Sequence, residues 1–236
     1  MAAAQRRILV VIAHADDADV HAGGTLARWS AQGDYVHLIV VSNGSKGHDD
    51  PTMTRARLIE LRRREQEAAA AVLGLAQVTF LDFEDGDLAW AGPALAEDMT
   101  RIVRRERPEL VVSLDPYGGP PRYASYQLHR DHRAVGEAVI DAVYFRAPAP
   151  LHYPEQLGQG LRPHRVGELL LMMGNEHDLF VDITDTFEKK LRAVRAHASQ
   201  WGNHPDLEGF LRRRASAFGA SAGCELAEPF KRLAPG

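Results

Sequence analysis

The sequence predicts a three-layer α/β fold: a mainly parallel sheet with helices on both faces, and added strands and helices toward the C-terminus. Three observations carry this. Short apolar runs alternate with longer segments of helical period, as in successive βαβ units. The first run is apolar throughout and the others nearly so, rather than alternating, which marks strands buried on both faces. Capping residues and breakers fall at the boundaries between them.

Residues 8–13 (ILVVIA) form the first strand. Residues 18–31 follow as a helix. Its Gly23-Gly24 pair weakens it by about 1 kcal/mol per glycine relative to alanine, which close backbone packing would offset. Residues 36–42 are a second buried strand, and 54–73 a long helix with Thr54 as N-cap and Gly74 just past its end. A short strand is expected over 78–81, and a helix over 94–105 that stops before Pro108. Residues 110–114 form another buried strand and 132–144 a helix. Beyond Pro148 the pattern loosens. Residues 147–160, rich in proline and glycine, are expected to be a surface excursion. Residues 168–173 and 179–183 are expected as added strands, and 185–200 as a helix opened by Thr184 or Asp185. Residues 201–236 could cover the crevice, pack on the sheet or meet a partner subunit, and the sequence does not choose among the three. One domain over 1–236 is expected at this length.

Composition narrows the function. Of 236 residues 45% are hydrophobic and 25% charged, with a net charge of −4, so the chain is a poor nucleic-acid binder. The basic triplets Arg62-Arg63-Arg64 and Arg212-Arg213-Arg214 read as solvated helix faces. A single cysteine, Cys224, excludes an internal disulfide and a cysteine-rich zinc site. No apolar run approaches the roughly 20 residues of a membrane span. The first apolar run is too short for the core of a signal peptide, so a cytoplasmic enzyme is the expectation.

The chemistry gathers in two clusters. His14-Ala15-Asp16-Asp17 follows the first strand, and His129-Arg130-Asp131-His132 opens the helix after the fourth. In a doubly wound sheet the ligand crevice lies beyond the carboxyl ends of the strands where strand order reverses. That point brings the two clusters together. His14, Asp17 and His132 make the three-ligand set of a catalytic zinc site, with a fourth position open to water. Asp16 diverges from Asp17 on the turn and is free to act as general base on the metal-bound water. His129, one turn from His132, would when protonated stabilise an oxyanion or protonate a leaving amine. Asp131 suits orienting a histidine through its other nitrogen. The plainer alternative for the two aspartates is N-capping and compensation of the helix dipole. His21, on the first helix, and the lone histidines 37, 152 and 164 read as packing or surface residues. No GxGxxG follows the first strand, which disfavours a dinucleotide site.

At these residues the chain resembles the PIG-L/LmbE-like deacetylases. Their A-H-P-D-D-x-E signature followed by G-G-T reads here Ala13-His14-Ala15-Asp16-Asp17-Ala18-Asp19 and Gly23-Gly24-Thr25. Their H-P-D-H reads His129-Arg130-Asp131-His132. Residues 43–47, 81–88 and 181–200 are also similar, so the resemblance covers nearly the whole chain. It implies a Rossmann-like three-layer fold, a divalent metal (usually zinc) and hydrolysis of an N-acetyl group on a glucosamine conjugate. Carried over, it makes His14, Asp17 and His132 the ligands, Asp16 the base and His129 the electrophilic helper. Two prolines are replaced, by Ala15 and Arg130, and a glutamate by Asp19. Arg130 adds a positive charge that would favour an anionic substrate unless it points to solvent.

Loops 42–50 and 115–127 follow the second and fourth strands and should rim the crevice. Ser45, Lys46, Asp49, Tyr117, Arg122, Tyr123 and Tyr126 are the candidate substrate contacts. The expected partner is a small amino-sugar conjugate, with no nucleic acid or membrane. A homo-oligomer fits the resemblance. Two other functions remain open at this point: a metal-dependent hydratase or lyase on a small unsaturated carboxylic acid, and a non-catalytic sugar-binding protein.

Overall fold

The computed structural model describes residues 5–118 and 129–235. Its sheet contains β1 (Arg7–Ile12), β2 (Tyr35–Ser42), β3 (Gln77–Phe83), β4 (Leu110–Leu114), β5 (Glu168–Met172), β6 (Leu179–Asp182) and β7 (Ala227–Leu233), in the order β3-β2-β1-β4-β5-β7-β6. The first five strands run parallel, and β7 lies antiparallel between β5 and β6. Ile8 to Ile12 of β1 are buried to within 1%, as the unbroken apolar run requires. The chain steps outward from β1 through β2 and β3, then returns to place β4 on the other side of β1. Strand order therefore reverses between β1 and β4, as expected, and the crevice opens at their carboxyl ends.

Three helices pack against one another: α1 (Asp17–Ala31), α2 (Arg55–Leu73) and α6 (Phe187–Ala196). A second pair, α3 (Gly92–Glu106) and α4 (Arg130–Asp141), packs together and on β4 and β1. Both predicted caps of α2 are present: Thr54 accepts from the Arg57 amide, and Gly74 closes the helix at φ +78°. On α4 the decisive residue is Gly136. A Cβ there would lie 2.5 Å from the Leu114 carbonyl oxygen. Only glycine lets α4 approach the end of β4 this closely, and that approach delivers His132, one turn earlier, to the crevice.

Four segments depart from the sequence reading. The span 185–200 is not one helix. A 3-10 turn (Thr184–Thr186) leads into α6, the chain breaks at His197 (ψ 58°), and α7 (Ala198–Trp201) follows. The break accompanies the bond of the His197 ring to Asp19 on α1, at 3.1 Å. The helix expected over 132–144 begins at Arg130 and passes at Ala142 into a π-turn that runs to Arg146. Residues 147–160 contain a short helix, α5 (Pro154–Gly158), and wrap a buried guanidinium. Arg104 donates to the carbonyls of Arg146, Ala149 and His152 at 2.8–2.9 Å. Finally β7, and the helix before it, α8 (Leu207–Ala222), were not anticipated. The β7 sequence AEPFKRL carries three charges and a proline, so it lacks an apolar strand signature.

One of those charges explains the glycine pair. Glu228 of β7 is buried and accepts from the amides of Gly24 (3.0 Å) and Thr25 (2.7 Å) within α1. Lys190 of α6 donates to the same carboxylate at 2.5 Å. A Cβ on Gly24 would meet the Ile183 side chain at 2.7 Å. The two glycines thus admit neighbouring side chains against the helix, and one carboxylate ties α1, α6 and β7 together.

Candidate active site

The site is built on the strained turn between β1 and α1. Asp16 adopts φ +103°, a left-handed conformation that aspartate tolerates better than most residues. This turn sends neighbouring carboxylates in different directions. Asp17, the first residue of α1, accepts from the His14 amide (2.9 Å) and turns toward His14 and His132. Asp16 turns toward α2 and α7.

His14, Asp17 and His132 converge. His14 Nδ1 lies 3.2 Å from His132 Nε2, and His132 Nε2 lies 3.2 Å from Asp17 Oδ1. His14 Nδ1 lies 3.7 Å from the other Asp17 oxygen. Three ligands about 2.0–2.1 Å from a tetrahedral zinc would be spaced by about 3.3 Å, so the donor set fits a divalent ion. The other ring nitrogen of His14 is engaged elsewhere. Its Nε2 lies 3.2 Å from both Asp131 Oδ2 and Asp85 Oδ1. Those carboxylates are held in turn by backbone amides: Asp131 by Gly86 (2.7 Å) and Leu88 (3.2 Å), Asp85 by Lys46 (2.9 Å). His14 therefore keeps a proton at Nε2 and leaves Nδ1 on the side of Asp17 and His132, the arrangement that would fix an imidazole for an ion. Asp131 is fully buried and touches His14, so it can orient that imidazole and has no route to a solvent-borne substrate.

Electrostatics follow from this packing. Burial opposes charge on His14, but hydrogen bonds to Asp131, Asp17 and Asp85 outweigh it and raise its pKa well above the usual imidazole value. Asp17 is held well below the carboxylate range by His132 and His14, despite its burial. His129 is shifted the other way, lowered by burial and by the neighbouring charges of His14 and His132. Its Nδ1 accepts from the Asp131 amide as the N-cap of α4. Neutral His129 thus carries its proton on Nε2 and is a hydrogen-bond donor without being an imidazolium.

Asp16 is gripped at both oxygens. Arg62 Nη2 lies 3.4 Å from Oδ1, and Trp201 Nε1 donates to Oδ2 at 2.8 Å. Burial raises its pKa, Arg62 opposes the shift and Asp17 adds to it. Arg62 is 5% exposed and also caps the Ala15 carbonyl at 2.7 Å, which corrects the reading of its triplet as a solvated face. Neither Trp201 nor Asp85 was anticipated as a site residue. Trp201→Phe would keep a ring against Phe210, whose centroid is 6.0 Å away, but remove the only polar hydrogen of the side chain. We expect kcat to fall about tenfold, the worth of one hydrogen bond to a charged group, with metal content unchanged. An unaltered kcat would show that the indole bond to Asp16 does not matter to turnover.

Two cavities share this centre. One, of about 370 Å3, is polar and is lined by His14, Asp16, Lys46, Arg62, His129 and Gln200. The other, of about 680 Å3, has Asp16, Asp17 and His132 along one side. Of the expected rim contacts Lys46 reaches the first cavity, where its ammonium pairs with Asp87 (2.8 Å) and Glu84 (3.2 Å). Ser45 is buried, with its amide on Asn43. Asp49 and Tyr117 are exposed and line neither cavity. Arg122, Tyr123 and Tyr126 lie outside the described residues. Arg130 stacks over Trp90 at 5.3 Å on a separate groove, so its charge does not face either cavity. His21 lines the second cavity instead of the plain surface.

Comparison with known proteins identifies the family. The model of the family described as PIG-L, GlcNAc-PI de-N-acetylase, matches residues 9–143. The chain is 33% identical to the diacetylchitobiose deacetylase of Thermococcus kodakarensis, covering 98% of this chain and 84% of that one. It is 32% identical to the 4-oxalmesaconate hydratase of Pseudomonas putida, covering 83% and 74%. Among solved structures it superposes on the inhibitor-bound N,N'-diacetylchitobiose deacetylase of Pyrococcus horikoshii with a TM-score of 0.88. That match has 30% identity and covers 98% of this chain and 85% of that one.

Proposed function

The chain belongs to the PIG-L family, and from that membership we propose that it is a divalent-metal-dependent N-deacetylase acting on an N-acetylglucosamine-type conjugate. The observation that carries the reading is the convergence of His14 Nδ1, Asp17 and His132 Nε2 beside the separately held carboxylate of Asp16.

His14, Asp17 and His132 would hold the ion, zinc being the first choice for two imidazoles and a carboxylate, and it would supply Lewis acidity toward water and the acetamide carbonyl. The remaining work falls to the chain. Asp16, fixed by Arg62 and Trp201, takes a proton from the attacking water. His129 donates from Nε2 to the oxygen that gains charge as the carbonyl carbon becomes tetrahedral. Protonated Asp16 then returns its proton to the departing nitrogen, the C–N bond breaks, and acetate and a free amine result. Asp131 and Asp85 keep His14 in one tautomer throughout. The polar wall of the smaller cavity, with Lys46 and Gln200, suits sugar hydroxyls.

Metal uptake should release protons. The raised pKa of His14 means that the metal-free protein carries a proton on Nδ1 at neutral pH, and an ion must displace it. Below that pKa the proton competes with the ion, so affinity should weaken by about tenfold per pH unit as pH falls. Calorimetry at pH 7 in buffers of different ionisation enthalpy should report at least one proton released per ion. Buffer-independent heats would contradict this protonation state.

A second reading, a hydratase on an unsaturated carboxylic acid, is favoured by the 32% identity to the Pseudomonas putida hydratase. One panel separates the two. N-acetylglucosamine conjugates are assayed for primary amine, and unsaturated carboxylic acids for loss of conjugated absorbance. Amine release supports the deacetylase; turnover of the acids alone overturns it.

A further inference from the structure

Asp16 is held at more than its carboxylate. It is the N-cap of α1 but makes no side-chain cap bond there, and the amide of an N-cap has no acceptor within its own helix. Here that amide donates to Gln66 Oε1 on α2, at 3.1 Å. The other end of the same side chain, Nε2, donates to Asp19 Oδ2 at 2.9 Å. A backbone N–H can only donate and a carboxylate can only accept, so the Gln66 amide has one orientation. Asp19, which stands where the family signature has glutamate, is anchored in turn, because the His197 ring reaches the same oxygen at 3.1 Å. Gln66, Asp19 and His197 are all fully buried. Arg62, Glu65 and Gln66, at i, i+3 and i+4, share one face of α2. Arg62 caps the Ala15 carbonyl at 2.7 Å. Glu65 accepts from the Ser199 amide (2.8 Å) and hydroxyl (2.6 Å), which seats α7 and with it Trp201.

We propose that Gln66 is a positioning residue for the reaction: it fixes the backbone of Asp16 in its left-handed turn and so keeps the carboxylate aimed at the centre. The inference rests on Asp16 being the general base of the proposed deacetylase. A φ of +103° persists only where the surroundings over-determine it. The Ala15 carbonyl and the Asp16 N–H belong to one peptide unit, and α2 grips both, through Arg62 and Gln66. The next peptide unit is fixed by α1, where the Asp16 carbonyl accepts from the Val20 amide at 3.0 Å. The φ of Asp16 is the rotation between these two planes. Without Gln66 the first plane is held at one point and can swing, and the Asp16 side chain swings with it. Asp17 lies beyond that rotation, inside α1, and Trp201 is seated separately by Glu65 through Ser199. Loss of Gln66 should therefore displace the base and spare both the ligand set and the indole.

The contact is tested first in the parent protein, where the Asp16 amide should be protected from hydrogen exchange followed by NMR. Exchange at the rate of an open amide overturns the inference whether or not any variant folds. Gln66→Met keeps an unbranched side chain and removes both hydrogen bonds. In the metal-loaded protein it should lower kcat about 10- to 100-fold, the effect of a misplaced catalytic group, with KM and metal content unchanged. It should also shift the Trp201 indole N–H resonance, whose acceptor is Asp16. The role is tested by combination with Asp16→Asn. If Gln66 acts through the base, adding Gln66→Met to Asp16→Asn should change kcat by no more than about twofold, whereas a general structural loss would multiply. An unchanged kcat in Gln66→Met, or a full further loss in the double variant, overturns the inference. Substrates are the conjugates and unsaturated acids of the panel above. Turnover of the acids alone would sink the deacetylase reading, while the same comparison made on those acids still decides whether Gln66 acts through Asp16. With neither class turned over, an unmoved indole resonance in Gln66→Met overturns the inference.

Discussion

Asp16→Asn should bind metal as the parent protein does and lose about 10²- to 10⁴-fold in kcat, the usual contribution of a general base. Asparagine is the informative replacement because position 16 has φ +103°. Like aspartate it tolerates left-handed backbone, whereas alanine there would add strain to the loop that carries Asp17. The amide retains an oxygen for the Trp201 N–H and cannot take a proton from water at neutral pH. Metal content by elemental analysis, thermal midpoint and kcat should therefore separate: the first two near parental values, the third collapsed. Retained turnover would remove Asp16 from the reaction, and loss of metal together with turnover would make it a determinant of the ligand loop.

Glu228→Leu should be among the most destabilising single substitutions in the chain. It leaves the Lys190 ammonium, 3% exposed, without its carboxylate partner and removes the link from β7 to the Gly24 and Thr25 amides of α1. Breaking a buried pair from one side costs about 3–5 kcal/mol. For a chain of this size that corresponds to a fall in Tm of roughly 6–20 °C. Lys190→Met combined with Glu228→Leu should recover part of the loss, because the desolvated ammonium is gone. Additive losses in the double variant would contradict the clamp.

The sequence made the centre legible for a topological reason. His14 and Asp17 follow β1, His132 opens α4 after β4, and a doubly wound sheet leaves little choice about where those ends meet. Apolar runs marked β1, β2, β4 and β5 because strands buried on both faces are mostly apolar, with only the buried His37 and Ser113 inside β2 and β4. The groups that tune the centre left no comparable trace. Trp201 reaches Asp16 across 185 positions, and Glu228 reaches Gly24 across 204. A hydrogen bond to a residue that far away imposes no local spacing. Arg62 and Arg214 each sit in a basic triplet whose other members justify reading a solvated face, and only packing shows which one turns inward. β7 was hidden for a related reason: its buried charge and its proline contradict the apolar signature of a strand. The helix expected over 185–200 fails at His197, whose periodicity is helical but whose ring bonds Asp19.

The central claim is tested most directly by following acetate and primary amine together from N,N'-diacetylchitobiose and other N-acetylglucosamine conjugates, with protein stripped by chelator and then titrated with zinc. The account predicts no turnover from the stripped protein. Equimolar acetate and amine should then appear in proportion to zinc up to one equivalent, and be absent at every zinc level in His132→Ala. Turnover by the stripped protein, or amine release by His132→Ala at parental rates, would contradict it.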